Sequence, residues 1–159
     1  MRASWHRSIK SLVKIFLRTL GQLIPSDVFA PRFPVSVKGV CFIEEKVILL
    51  KNERDEWDLP GGKLKKRETV PDCLVREIEE ELSILVQPHQ LLKTLTIRVM
   101  NTVDVFIVIY SCLTTATIDQ LRISEESFAI GTFTVEELDG IILPQAYKDT
   151  IRQAHKELV

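Results

Sequence analysis

Cysteine, glycine and aromatic residues are all sparse in this chain of 159 residues, which holds three Cys, six Gly, two Trp, two Tyr and seven Phe. Cys41, Cys73 and Cys112 are odd in number and lack paired spacing, so neither a disulfide framework nor a zinc site is suggested. They read as small buried thiols in a reducing compartment, which makes the cytoplasm the expected location. No apolar run reaches the roughly 18–20 residues that span a bilayer, so a transmembrane helix is not expected. With 45% hydrophobic and 27% charged residues the chain is neither disordered nor of low complexity. Its length suits one globular domain with an appendage.

Strong charge of one sign is also lacking, but the net −1 hides an asymmetry. Residues 1–30 carry Arg2, Arg7, Lys10, Lys14 and Arg18 against Asp27, and the remainder is acidic. An acidic body excludes an extended nucleic-acid surface, which needs a basic face, and suits a protein that concentrates cations.

The chain falls into two parts: residues 1–30, a basic amphipathic helix and connector, and residues 31–159, the domain. Trp5, Ile9, Leu12, Val13, Phe16, Leu20, Leu23 and Ile24 form one apolar stripe over residues 4–24. Three readings stay open for this helix. It packs on the domain or makes a homodimer contact; it lies on an anionic membrane surface; or it is an organelle-targeting presequence. A secretory signal fits poorly, because Lys14 and Arg18 interrupt the apolar stretch.

Beyond Pro31 the pattern predicts strands at Val35–Ile43 and Val47–Leu50, a charged loop from Asn52 to Asp58, and a helix from about Thr69 to Leu82. Pro88 is expected to break the chain. Strands are predicted next at Leu91–Val99, Val103–Leu113 and Phe128–Phe133, then a brief helix at Val135–Leu138 and a C-terminal helix after Pro144. The order implies an α/β (α+β) layered domain.

The informative stretch runs from Gly62 to Ile84. On a helix, Glu77, Glu80 and Glu81 share an arc of about 100°, and Leu74, Ile78 and Leu82 border it as an apolar stripe. Like charges at these spacings cost a few tenths of a kcal/mol per pair, and burial raises the cost. A hard divalent cation would remove the repulsion. A plain solvated acidic face is the alternative. Yet Gly62, Glu68, Arg76, Glu77, Glu80 and Glu81 fall at fixed spacing, which chance meets on the order of 10⁻⁸ per window.

These residues resemble the Nudix box, Gly-x5-Glu-x7-Arg-Glu-U-x-Glu-Glu-x-Gly-U, with Ile78 and Ile84 at the aliphatic U positions. Ser83 stands where the box has glycine, at a left-handed turn, which should cost roughly 1 kcal/mol of local stability and removes no ligand. Trp57-Asp58-Leu59-Pro60-Gly61-Gly62 resembles the usual approach to the box. The resemblance implies an α/β/α sandwich with a mixed central sheet. It implies hydrolysis of a diphosphate bond in a nucleoside diphosphate linked to another moiety, or in a (d)NTP, with Mg²⁺ as cofactor and Mn²⁺ as substitute. Glu77, Glu80 and Glu81 would hold the metal, Glu77 doubling as candidate base. Glu68 would ligate or support a further metal, Arg76 would orient the glutamates, and the carbonyl of Gly61 or Gly62 would face the metal. A late-loop carboxylate, Glu125 or Glu126, is the other candidate base or ligand. Arg54, Trp57 and Lys63 are candidate substrate contacts. A non-catalytic nucleotide sensor on the same fold is the alternative function, and the loss of a box acid that would favour it is not seen. Downstream signatures of the ADP-ribose, dinucleoside polyphosphate, coenzyme A and NADH types are missing, so the nucleotide is not readable.

Overall fold

The computed structural model describes residues 32–99, 102–124 and 128–158. The expected N-terminal helix, residues 4–24, and the acids Glu125 and Glu126 lie outside them. By contacts the chain divides into residues 1–32 and 33–159, and the second unit carries every strand and helix described below.

The elements run β1 (Val35–Ile43), β2 (Lys46–Lys51), β3 (Trp57–Asp58), α1 (Val70–Leu82), β4 (Gln87–Val99), β5 (Val103–Leu113), β6 (Ala129–Phe133) and α2 (Gln145–Leu158). Single 3₁₀ turns lie at Ile118–Gln120 and Glu137–Gly140. The sheet is mixed, in the order β3-β2-β1-β5-β4, with β6 also paired to β2. β1 lies parallel to β5 from Val35↔Phe106 to Cys41↔Cys112, and the β1–β2, β4–β5 and β2–β6 pairs are antiparallel.

Alternation along β1 sends its side chains to two cores. Val37, Cys41 and Ile43 pack with Cys73, Leu74, Ile78 and Leu82 of α1. Val40 packs on the other face with Tyr147, Ile151 and Ala154 of α2. Burying each Leu or Ile of α1 contributes roughly 2 kcal/mol. A helix on each face of a mixed sheet is the α/β sandwich expected from the sequence. Gly39 lets α1 come close, since a Cβ there would sit 2.8 Å from Ile78 Cδ1. Among the described residues no helix is long and apolar enough to cross a membrane.

Four boundaries differ from the sequence reading. β4 runs back through Pro88 to Gln87; proline is tolerated there because β4 ends the strand order and the register shifts between Pro88 and Gln90. Within the expected charged loop, Lys51↔Trp57 and Leu50↔Asp58 make β3. β6 starts at Ala129, not at Phe128. The brief helix after Thr134 is a 3₁₀ turn at Glu137–Gly140, and the Thr134 N–H donates to Glu137 Oε2 at 2.8 Å.

Candidate active site

Thr69 caps α1, its Oγ1 accepting from the Asp72 N–H at 3.3 Å, with Pro71 in the first turn. The helix ends at Ser83, which adopts φ 57°, ψ 30° and donates its N–H to Glu79 O at 3.0 Å. This is the left-handed turn for which the box has glycine. The next free carbonyls are capped from outside: Arg122 N–H donates to Leu82 O at 3.0 Å and Ser124 N–H to Glu81 O at 3.3 Å.

The segment before α1 runs beside β1. Gly39 N–H donates to Pro60 O at 2.9 Å, Val37 N–H to Gly62 O at 2.8 Å, and Leu64 N–H to Val35 O at 3.0 Å. That pairing places Gly61 and Gly62 under the acidic face of α1. Gly61 has φ 124°, and a Cβ on it would meet Val37 O at 2.2 Å, so no other residue fits. A Cβ on Gly62 would meet Glu77 Oε2 at 2.2 Å.

Arg76 is the hub of the acids. Its Nε donates to Glu68 Oε1 at 2.7 Å and its Nη2 to Glu68 Oε2 at 3.0 Å, a bidentate grip. Its Nη1 donates to Glu77 Oε1 at 2.6 Å and Glu80 Oε2 at 3.1 Å. Arg76 holds the Glu68 carboxyl down at about 2, aided by the Lys65 N–H. Glu80 is the exposed member, with 56% of its side chain accessible. Glu81 is half-buried, and its Oε2 accepts from Gly61 N–H at 2.7 Å. Burial pushes its carboxyl up to about 7; the Gly61 N–H and the Lys38 charge pull the other way, and Glu77 and Asp58 add to the rise.

The donor set fits a hard divalent cation in kind. Carboxylates of Glu77, Glu80 and Glu81 share one helical face, Glu77 rests on Gly62, and the half-buried carboxyl of Glu81 gains from a cation beside it. Among the described residues no three acids, histidines or cysteines close into a cluster that could hold a metal. Their charges are met by Arg76 and Lys38 instead. The Gly62 carbonyl is taken by the Val37 N–H, and the Gly61 carbonyl accepts from Lys38 Nζ at 3.0 Å.

A cavity of about 290 Å³ opens on the α2 side of β1. Ile97, Val99, Val105 and Ile107 of β4 and β5 form its apolar wall, and Pro144 and Tyr147 line it as well. Arg54, Trp57 and Lys63 all line it, so the structure brings the three substrate candidates together. Trp57 packs edge-on to Phe133, ring centroids 4.8 Å apart, and is also cavity wall. Arg54 is paired with Glu56 at 3.0 Å, whereas no hydrogen bond or ion pair holds Lys63 Nζ among the described residues. The cavity and the acidic helix share the Lys38–Gly61–Lys63 stretch, since Lys38 and Lys63 line the cavity and Lys63 O accepts from Arg76 at 3.4 Å.

Sequence reasoning missed Lys38, Asp58 and Tyr147. One signal was available: Lys38 is the one charged residue of a largely apolar strand, where a charge needs partners. Nothing in the sequence marked Tyr147, whose hydroxyl is held protonated by burial and by the Asp58 charge.

The model of the NUDIX domain matches residues 32–157. The chain belongs to the Nudix family. A MutT-like protein of Streptomyces ambofaciens is 30% identical over 110 residues, 68% of each chain. The 8-oxo-dGDP phosphatase NUDT18 of Mus musculus is 35% identical over 77 residues, which is 39% of this chain and 23% of that protein's length. A Nudix-family hydrolase from Clostridium perfringens superposes with a TM-score of 0.72 at 15% identity, over 81% of this chain and all (100%) of its own, which shows the shared fold. The Nudix box of the sequence is thus the Gly62 loop and α1, with Ser83 at its departing position.

Proposed function

We propose that this Nudix protein hydrolyses a phosphoanhydride bond in a nucleoside diphosphate linked to another moiety, or in a (d)NTP. One observation carries the reading: a nucleoside-sized, largely apolar cavity meets a face of three glutamates across a single stretch of backbone. One relative is an 8-oxo-dGDP phosphatase, which favours a purine nucleotide among these substrates.

Glu77, Glu80 and Glu81 would hold Mg²⁺, or Mn²⁺ in its place, and Glu68 supports them through Arg76. When bound, the ion neutralises phosphate charge and makes water a stronger nucleophile. The protein's own groups do the rest. Trp57 and the β4–β5 wall take the base, and Lys63 and Arg54 take phosphate oxygens. Arg76 fixes the rotamers of Glu77 and Glu80, and Glu77, seated on Gly62, is the candidate proton acceptor. Glu126 stays a candidate second base from the sequence alone. Three free buried thiols suit a cytoplasmic setting. The dimer or membrane contact proposed for residues 4–24 is a separate property of that segment.

The test is a turnover screen with Mg²⁺ and Mn²⁺ against (d)NTPs, 8-oxo-dGDP, ADP-ribose, nucleotide sugars and dinucleoside polyphosphates, with Glu80→Gln as control. Turnover of one class, reduced by orders of magnitude in the control, establishes the reading. Tight metal-free nucleotide binding without turnover replaces it with the sensor.

A further inference from the structure

Lys38 sits in β1 between the buried residues Val37 and Gly39, and its side chain is 12% exposed. Its ammonium donates to Asp58 Oδ2 at 3.0 Å, Leu59 O at 2.9 Å and Gly61 O at 3.0 Å. An ammonium has three N–H donors, and these three oxygens use them all. The three acceptors are one carboxylate and two backbone carbonyls, which are also the ligands a hard divalent cation selects. Gly61 is held at both ends, its carbonyl by Lys38 and its N–H by Glu81. The ammonium therefore lies one residue's width from the acidic face, in the wall of the cavity.

We propose that the Lys38 ammonium is a built-in cation of the site, filling an oxygen cradle of Asp58, Leu59 and Gly61 that would otherwise accept a divalent metal ion. The lysine lowers by one the number of ions the chain binds and weakens the binding of those it takes at Glu77, Glu80 and Glu81. A charge a few ångströms from a divalent ion weakens its binding by at least about tenfold at the effective dielectric near a protein surface. The same contacts make Lys38 a positioning residue, because they fix the Gly61 backbone on which Glu81 depends. The inference rests on the glutamate face being a divalent-cation site.

The experiment is Mn²⁺ binding to the full chain without nucleotide, read as stoichiometry and Kd by loss of the free-ion EPR signal. The proteins are wild type, Lys38→Gln, Lys38→Met and Lys38→Arg. Lys38→Gln is uncharged and one bond shorter than lysine, so it withdraws from the cradle while staying polar, and it serves if Lys38→Met fails to fold. The expected result is one additional Mn²⁺ per chain and at least about tenfold tighter binding in the neutral variants, with Lys38→Arg as wild type. Unchanged number and affinity in Lys38→Gln overturns the inference and leaves the proposed metal-dependent hydrolysis standing. Binding to the neutral variants but not to wild type upholds the inference, and the glutamate face then takes its ion only beside nucleotide phosphates. No binding to any of the four overturns the inference and leaves the hydrolysis to the turnover screen.

Discussion

The carboxylate of Glu77 rests on the backbone of Gly62 with no room for a side chain between them: a Cβ there would fall 2.2 Å from Oε2 and 2.4 Å from Cδ. The obstructed atoms are the far end of a flexible side chain, not backbone. Gly62→Ala should therefore displace Glu77 at little structural cost. Turnover is expected to fall by about a hundredfold or more, while the urea midpoint shifts by less than about 1 kcal/mol equivalent. The adjacent Gly61→Ala forces Val37 O and a positive φ, and should cost several times more stability, on the order of 3 kcal/mol. Parallel denaturation curves and initial rates check both.

Glu81 makes metal-free stability fall as pH rises. Its folded carboxyl, at about 7, titrates above its ordinary 4.5. The protonated form is favoured on folding, so the contribution is complete below pH 4.5 and lost as pH passes through about 7; it amounts to about 3 kcal/mol. Glu68 has the opposite sign, stabilising above pH 4.5 and failing as pH falls towards about 2. Thermal melting in a chelator should thus decline from pH 5 to pH 7.5. Glu81→Gln should flatten that decline, and a melting curve that stays steep in the variant would contradict the assignment.

Ser83 holds a left-handed conformation that costs a residue with a Cβ about 1 kcal/mol relative to glycine. Ser83→Gly is expected to stabilise the domain by about that amount, read as a higher denaturant midpoint with an unchanged slope. Turnover should stay within about twofold of wild type, because Ser83 carries none of the acidic groups.

Lys63 lines the cavity with an ammonium that no ion pair holds among the described residues. Lys63→Ala should raise KM for the nucleotide severalfold, about threefold to tenfold, leave kcat near wild type and leave melting unchanged. An equal loss in kcat would move Lys63 from substrate binding to the chemical step.

The box was legible because its information is spacing: a period of 3.6 places Glu77, Glu80 and Glu81 together and Leu74, Ile78 and Leu82 beside them, whatever the tertiary context. The strand at Val35–Ile43 was legible as well, but its division between two cores showed only once α1 and α2 were in place. What was not legible depended on pairing. β3 is two residues long and hidden among Asn52, Glu53, Arg54 and Asp55, so only its partner β2 defines it. Pro88 reads as a breaker until its place at the end of the strand order is known. The cavity draws Ser36, Asn52, Ile97, Val105 and Tyr147 from separate elements, and no local pattern announces such a set. Lys38 was visible as an oddity, but its three acceptors lie some twenty residues on, brought back by the Gly62 segment alongside β1.

The parallel pairing of β1 with β5 has a bearing on how the protein is made. Val35 finds Phe106 only after the whole Gly62 loop, the acidic helix and β4 have been threaded out between them. Such a distant closure is slow compared with hairpins like β1–β2. During synthesis the glutamate helix leaves the ribosome well before the strand that completes its floor, and for that interval its apolar stripe has only the β1–β2 hairpin to pack on. Assembly of the site is thus a late event in the life of the nascent chain.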